Sequence, residues 1–89
     1  MTRPTMSPRQ KRHANEALRH AKNLLGGWPA LANELSRRSH RTITFQGCHY
    51  WLQSGNGVPP YWARLIEEAT KGRIRRGDLR PDLFDVIET

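Results

Sequence analysis

Cysteine is almost absent from this chain. Cys48 stands alone, which excludes an internal disulfide and points to a reducing compartment. Acidic residues are also scarce, eight against fifteen Lys and Arg, leaving a net charge of +7. No apolar stretch approaches the ~20 residues that a membrane helix needs, so no span is expected. Met1-Thr2-Arg3 leads into no hydrophobic core of the secretory type, and the chain reads as cytoplasmic. A phosphate-cradling glycine loop and a nucleophile elbow are both missing. Glu67-Glu68 is most simply a solvated helix pair, and His40, Cys48 and His49 lack the paired spacing of a zinc site. Neither enzymatic activity nor a cofactor nor a metal is expected.

What is present is positive charge, unevenly placed. Residues 1–27 hold six basic residues and one acidic, whereas residues 56–89 hold six of each sign. A polyanion is the expected partner, with double-stranded DNA ahead of RNA or an acidic surface. Eighty-nine residues make one domain, burying only about two-thirds of its unfolded surface, so a homodimer would add useful apolar contact.

Apolar periodicity predicts an all-α, compact domain of four to five helices. Residues 1–6 form a basic arm, 7–84 the domain, and 85–89 a tail. Ser7-Pro8 starts the first helix, whose stripe is Ala14, Ala17, Leu18, Ala21, Leu24 and Leu25, and Gly26-Gly27 ends it. Trp28-Pro29 opens a second helix with Leu31, Ala32 and Leu35 inward. Ser36 to Arg41 has no apolar member and reads as a loop, longer than the 3–4-residue turn of a minimal helix-turn-helix. Thr44 caps a third helix that runs to Gly55, Pro59-Pro60 starts a fourth with Trp62, Leu65, Ile66 and Ala69 inward, and a short element lies between Ile74 and Leu79. The apolar tail around Phe84 and Ile87 is a candidate dimer surface.

The third helix carries the sharpest signal. Burying Cys48, Trp51 and Leu52 turns Gln46, His49, Tyr50 and Gln53 outward, as a helix entering a major groove requires. Gln46 can bond adenine through two atoms, His49 can donate to guanine or a phosphate, and Tyr50 can reach a phosphate or a thymine methyl. Arg37, Arg38 and Arg41, with Ser54 and Asn56 beyond the helix, are candidate phosphate contacts, which position a protein without reading sequence. A buried cysteine acts as a small hydrophobe, so Cys48 is expected in the core.

Several segments carry a family resemblance: Gly26-Gly27, Leu31-Ala32, Thr44-Phe45-Gln46-Gly47-Cys48-His49-Tyr50-Trp51-Leu52, Gly57-Val58-Pro59, Ile66-Glu67-Glu68-Ala69-Thr70-Lys71-Gly72 and Asp78-Leu79-Arg80-Pro81-Asp82-Leu83-Phe84. On these residues the chain resembles the small Cro-type and YdaS-like helix-turn-helix regulators of phages and prophages. The resemblance implies a repressor-like domain that binds a short pseudo-palindromic operator as a homodimer. It also implies recognition through Phe45, Gln46, His49 and Tyr50, with Cys48 and Trp51 in the core. An extended turn between residues 36 and 43 departs from the family pattern, as does Phe45 at a helix tip where small or polar residues are common. Members described as antitoxins leave a second function open: a protein-interaction module, antitoxin or antirepressor, that occludes a toxin or repressor.

Overall fold

The computed structural model describes residues 6–54 and 57–82, and among them lie five helices and no strand. Helix α1 spans Pro8–Leu25, α2 Trp28–Ser39, α3 Phe45–Tyr50, α4 Pro60–Ala69 and α5 Arg76–Leu79. The chain is thus an all-α domain. Ser7 caps α1 through a reciprocal bond with Gln10, and Gly26 ends it in the left-handed conformation. Helix α2 is the centre of the fold, packing on α1, α3 and α4, while α5 bridges α1 and α4. Leu31 and Leu35 of α2 are wholly buried, and Ala32 nearly so, against Leu18, Ala21, Ile66 and Leu79. Small residues on this central stripe let three helices approach it at once.

Helix α1 buries Ala14, Ala17, Leu18 and Ala21 as its spacing predicts, but Leu24 is exposed. Leu24 borders an open hollow shared with Leu25, Ala69, Thr70, Lys71 and Arg73. In α4 the deeply buried positions are Ala63 and Ile66, with Trp62 and Leu65 half-buried at the core's margin. Trp62 lies against Trp51 with ring centroids 6.2 Å apart.

Two boundaries differ from the sequence expectation. Residues Ser36–Ser39 continue α2 rather than forming a loop, and the helix ends at His40, a non-glycine residue with φ +59°. Sequence gave no stop signal there, because neither Gly nor Asn marks the left-handed position. The connection to α3 therefore runs only from His40 to Thr44, and the extended turn of 36–43 is mostly an extra turn of helix. Helix α3 is also shorter than expected. It ends at Tyr50, and Trp51, Leu52 and Gln53 follow in tighter turns, with Trp51 N–H donating to Cys48 and Leu52 N–H to His49.

Polar side chains close the turns. Ser36 Oγ accepts from Ile43 N–H at 3.0 Å and donates to Ile43 C=O at 3.1 Å, pinning the end of the α2–α3 connection to α2. The buried Thr70 hydroxyl accepts from Ile74 N–H at 3.1 Å and donates back to Ile66 C=O at 2.9 Å. Arg80, also buried, donates twice to Asp82, at 2.9 and 2.8 Å, and once to Val58 C=O at 3.1 Å. Those hydrogen bonds outweigh burial and hold the Asp82 carboxyl below its ordinary range. Met6, at the limit of the basic arm, is buried, its methyl group over Gly57, whose φ is +68°.

Ser36→Ala removes the partner of Ile43 N–H in a half-buried place. A stability loss of about 1–3 kcal/mol is expected in urea denaturation, with faster amide exchange at Ile43. The Asp82 carboxyl has a depressed folded pKa. Its contribution is complete above the unfolded value of about 3.9 and is lost as pH falls through the lower folded value. The stability difference between wild type and Asp82→Asn should be flat near neutrality and shrink below about pH 4. A constant difference down to acid unfolding would show that the pair's charge contributes nothing.

Candidate functional site

Helix α3 has six residues, too few to be stable alone, so its surroundings must hold it. Thr44 begins it, its hydroxyl accepting from Gly47 N–H at 3.1 Å. A methyl group added at Gly47 would meet the Ile43 and Thr44 side chains at 3.5 and 3.6 Å, ordinary van der Waals contact. Cys48 anchors the inner face with no exposure at all, and burial pushes its thiol up to about 11, so it packs as a hydrophobe. Trp51, just past the helix, is 6% exposed and completes the anchor.

The far end is tied down from α1. Lys11 Nζ donates to Trp51 C=O at 2.8 Å and to Asn15 Oδ1 at 3.0 Å, and Asn15 donates to Leu52 C=O at 3.3 Å. These carbonyls end α3 without a helical partner, and a cation there also suits the helix dipole. Burial, and then the charge of Arg80, lower the Lys11 pKa. Lys11 is 40 positions from Trp51 and Asn15 is 37 from Leu52, so no spacing rule could have revealed the contacts.

With its inner face anchored, α3 turns Phe45, Gln46, His49 and Tyr50 to solvent, and Gln53 is exposed beside them. All five, together with Trp28 from the start of α2, line one hollow of about 450 Å³. The five base-contact candidates are therefore gathered at one place. Trp28 is held between two neighbours: the His49 ring meets it edge-on at 5.3 Å, and Lys22 Nζ lies 5.5 Å from its centroid. Phe45 and Gln46 also border a second hollow of about 300 Å³ with Asn33 and Thr44.

The basic candidates are less uniform. Arg37 and Arg38 lie on the last turns of α2 and both bond Glu34 Oε2 at 2.5 Å. Those hydrogen bonds hold the Glu34 carboxyl below its usual range and offset part of the arginines' charge. Arg41, in the connection, sits 5.1 Å from the Tyr61 ring centroid, which ties the turn to the start of α4. Ser54 follows the turns after α3, its N–H donating to Tyr50 C=O at 3.0 Å. Asn56, the Phe84 and Ile87 surface, the tail 85–89 and most of the basic arm lie outside the described residues.

Trp28 and, through it, Lys22 join the site only in three dimensions. Lys22 is recognisable in sequence as a cation off the apolar stripe, but its place beside α3 depends on how α1 turns into α2 at Gly26-Gly27. Elsewhere, Glu67 accepts from Arg76 N–H at 3.0 Å and from its Nε at 2.8 Å; burial opposes ionisation, but these bonds outweigh it and keep the carboxyl below its ordinary value. That pair braces α5 and is remote in role from the hollow. Among the described residues no group of three or more His, Cys, Asp or Glu is placed to hold a metal ion, and no helix is long and apolar enough to cross a membrane.

Residues 18–87 fit the family described as bacterial toxin YdaS, a span that takes in the last two turns of α1 and all of α2 to α5. No curated protein and no solved structure matches the chain. With most of its length covered by that family, including the whole of α3 and its hollow, the chain belongs to the YdaS family.

Proposed function

We propose that this protein is a sequence-specific DNA-binding regulator that occupies a short, pseudo-palindromic operator as a homodimer, in the manner of a Cro-like repressor. One observation carries the proposal. A short helix, anchored by Cys48 and Trp51 on its inner face, presents Gln46, His49, Tyr50 and Gln53 together on its outer face. A major groove admits a helix of this kind, and amide and imidazole side chains match the donors and acceptors of base edges. Lys22 lies against the Trp28 ring of this hollow, and the chain's net charge of +7 favours a polyanion. In this proposal Gln46 and His49 read bases, Phe45, Tyr50 and Gln53 complete the reading face, and Arg37, Arg38, Arg41, Ser54 and Asn56 position the backbone. The protein acts by occupancy, without catalysis and without a cofactor.

A second reading has its own support. Phe45, Tyr50 and Tyr61 are exposed aromatics, and the family's description as a toxin fits a chain that acts on another protein. On that reading the same face occludes a toxin or repressor partner, and DNA affinity is weak and non-specific.

Selection of bound duplexes from randomised DNA at moderate salt, with competitor present, separates the two. Recovery of one short motif with two-fold symmetry is the expected result; unrelated sequences or none would transfer the proposal to the protein partner. On the recovered site, Gln46→Ala should cost about 1–3 kcal/mol and relax preference at one base pair. Arg41→Ala should weaken all duplexes alike and lower the salt slope by about one. A dimer that neutralises ~6–10 phosphates should lose ~10³–10⁵-fold in affinity between 50 and 200 mM salt. Identical losses in both variants would overturn the division between reading and positioning.

A further inference from the structure

The hollow in front of α3 has two kinds of wall. Trp28, Phe45 and Tyr50 supply carbon surface, whereas Gln46, His49 and Gln53 supply hydrogen-bonding groups. Phe45 is 47% and Tyr50 60% exposed, so the recognition face carries aromatic surface that water meets unfavourably. Trp28 is not free to fold away, because Lys22 and His49 hold it from two sides. The hollow is therefore formed before any ligand arrives, which lowers the ordering cost of filling it. It is also crossed by two elements, α2 at Trp28 and α3 at the rest, so a ligand in it touches both.

On a B-form duplex the major-groove edge offers one strongly apolar group, the C5-methyl of thymine. The adenine paired with it offers an adjacent acceptor and donor, N7 and N6, which a glutamine side chain bonds through both of its polar atoms. A single A·T pair thus supplies what each wall lacks, a methyl group for the rings and an amide-matching edge for Gln46 or Gln53. A G·C pair has no methyl group, and its guanine offers two acceptors rather than an acceptor beside a donor. Lys22, whose ammonium lies 5.5 Å from the Trp28 centroid, supplies positive charge beside the hollow for a neighbouring phosphate.

We infer that this hollow seats the 5-methyl group of a thymine in the major groove, so that Trp28, Phe45 and Tyr50 act as specificity-determining residues for an A·T pair in each half-site. The inference rests on the DNA-binding proposal above and adds the base that the aromatic wall selects.

The test uses the full chain and the selected duplex, with each dT replaced in turn by dU, which removes the methyl and keeps every hydrogen-bonding group. Affinity is read by fluorescence anisotropy. Wild type should lose about fourfold at one dT per half-site, the equivalent of about 0.8 kcal/mol for one buried methylene-sized group. Tyr50→Ala and Phe45→Ala, both at exposed positions and checked for helix content by circular dichroism, should bind the dT and dU duplexes alike. Either variant suffices if the other loses binding altogether. A selected site without thymine, or a wild type indifferent to every dU replacement, would overturn the thymine pocket and leave the DNA-binding proposal standing. Undiminished dT preference in both variants would place the methyl contact elsewhere and overturn it equally. Failure to select any specific duplex would remove both proposals together.

Discussion

Everything at the candidate site depends on holding a six-residue helix in place. One and a half turns of backbone cannot supply their own nucleation cost, so α3 persists only because other parts of the molecule fasten it. Burial of Cys48 and Trp51 against α2 and the core fixes its inner face. Thr44 and the Ser36 hydroxyl fix its entry, and Lys11 and Asn15 fix its exit. None of these contacts touches the exposed face. The scaffold that aims the outer residues is specified by packing and by hydrogen bonds from other helices and connections.

The same economy governs the connections. Short helices leave many terminal N–H and C=O groups without helical partners, and a small domain has little water-free volume in which to leave them unpaired. Thr70, Glu67 and Arg80 answer this with side-chain bonds to backbone atoms at the ends of α4 and α5 and in the segment before α4. Arg80 is the most constrained of these. Its guanidinium is buried and spends its donors on Asp82 and on Val58 C=O, a geometry for which lysine has no equivalent. The basic residues of this chain therefore divide into those that brace the fold through hydrogen bonds, such as Lys11, Arg76 and Arg80, and those that lie over aromatic rings, such as Arg41 and Lys22. Net charge alone does not distinguish the two groups.

The family assignment and the local geometry bear on different questions. Membership of the YdaS family covers the span from late α1 through α5 and ties the chain to a group described as toxins. The chemistry of the face, with its amides, imidazole and aromatic rings around one hollow, is what motivates a nucleic-acid partner. Exposed aromatics serve either a protein or a base edge, which is why the face by itself supports both readings.

Sequence by itself determined the helical class, the inward stripe of α1 as far as Ala21 and that of α2, the Thr44 cap, and the partition of α3 into a buried side and an exposed side. These are local properties: a 3.6-residue period and a capping hydroxyl act over one or two turns. It misjudged where α2 and α3 end, because His40 takes a left-handed conformation that its residue type does not announce, and because α3 gives way to tighter turns while still burying Trp51. Only the tertiary structure decided that Lys11 and Asn15 secure α3, that Arg37 and Arg38 share Glu34, and that Trp28 and Lys22 join the hollow. Each of these depends on how α1, α2 and α3 meet in space, a relation set by the packing of Leu18, Leu31, Leu35 and Cys48 rather than by any spacing along the chain.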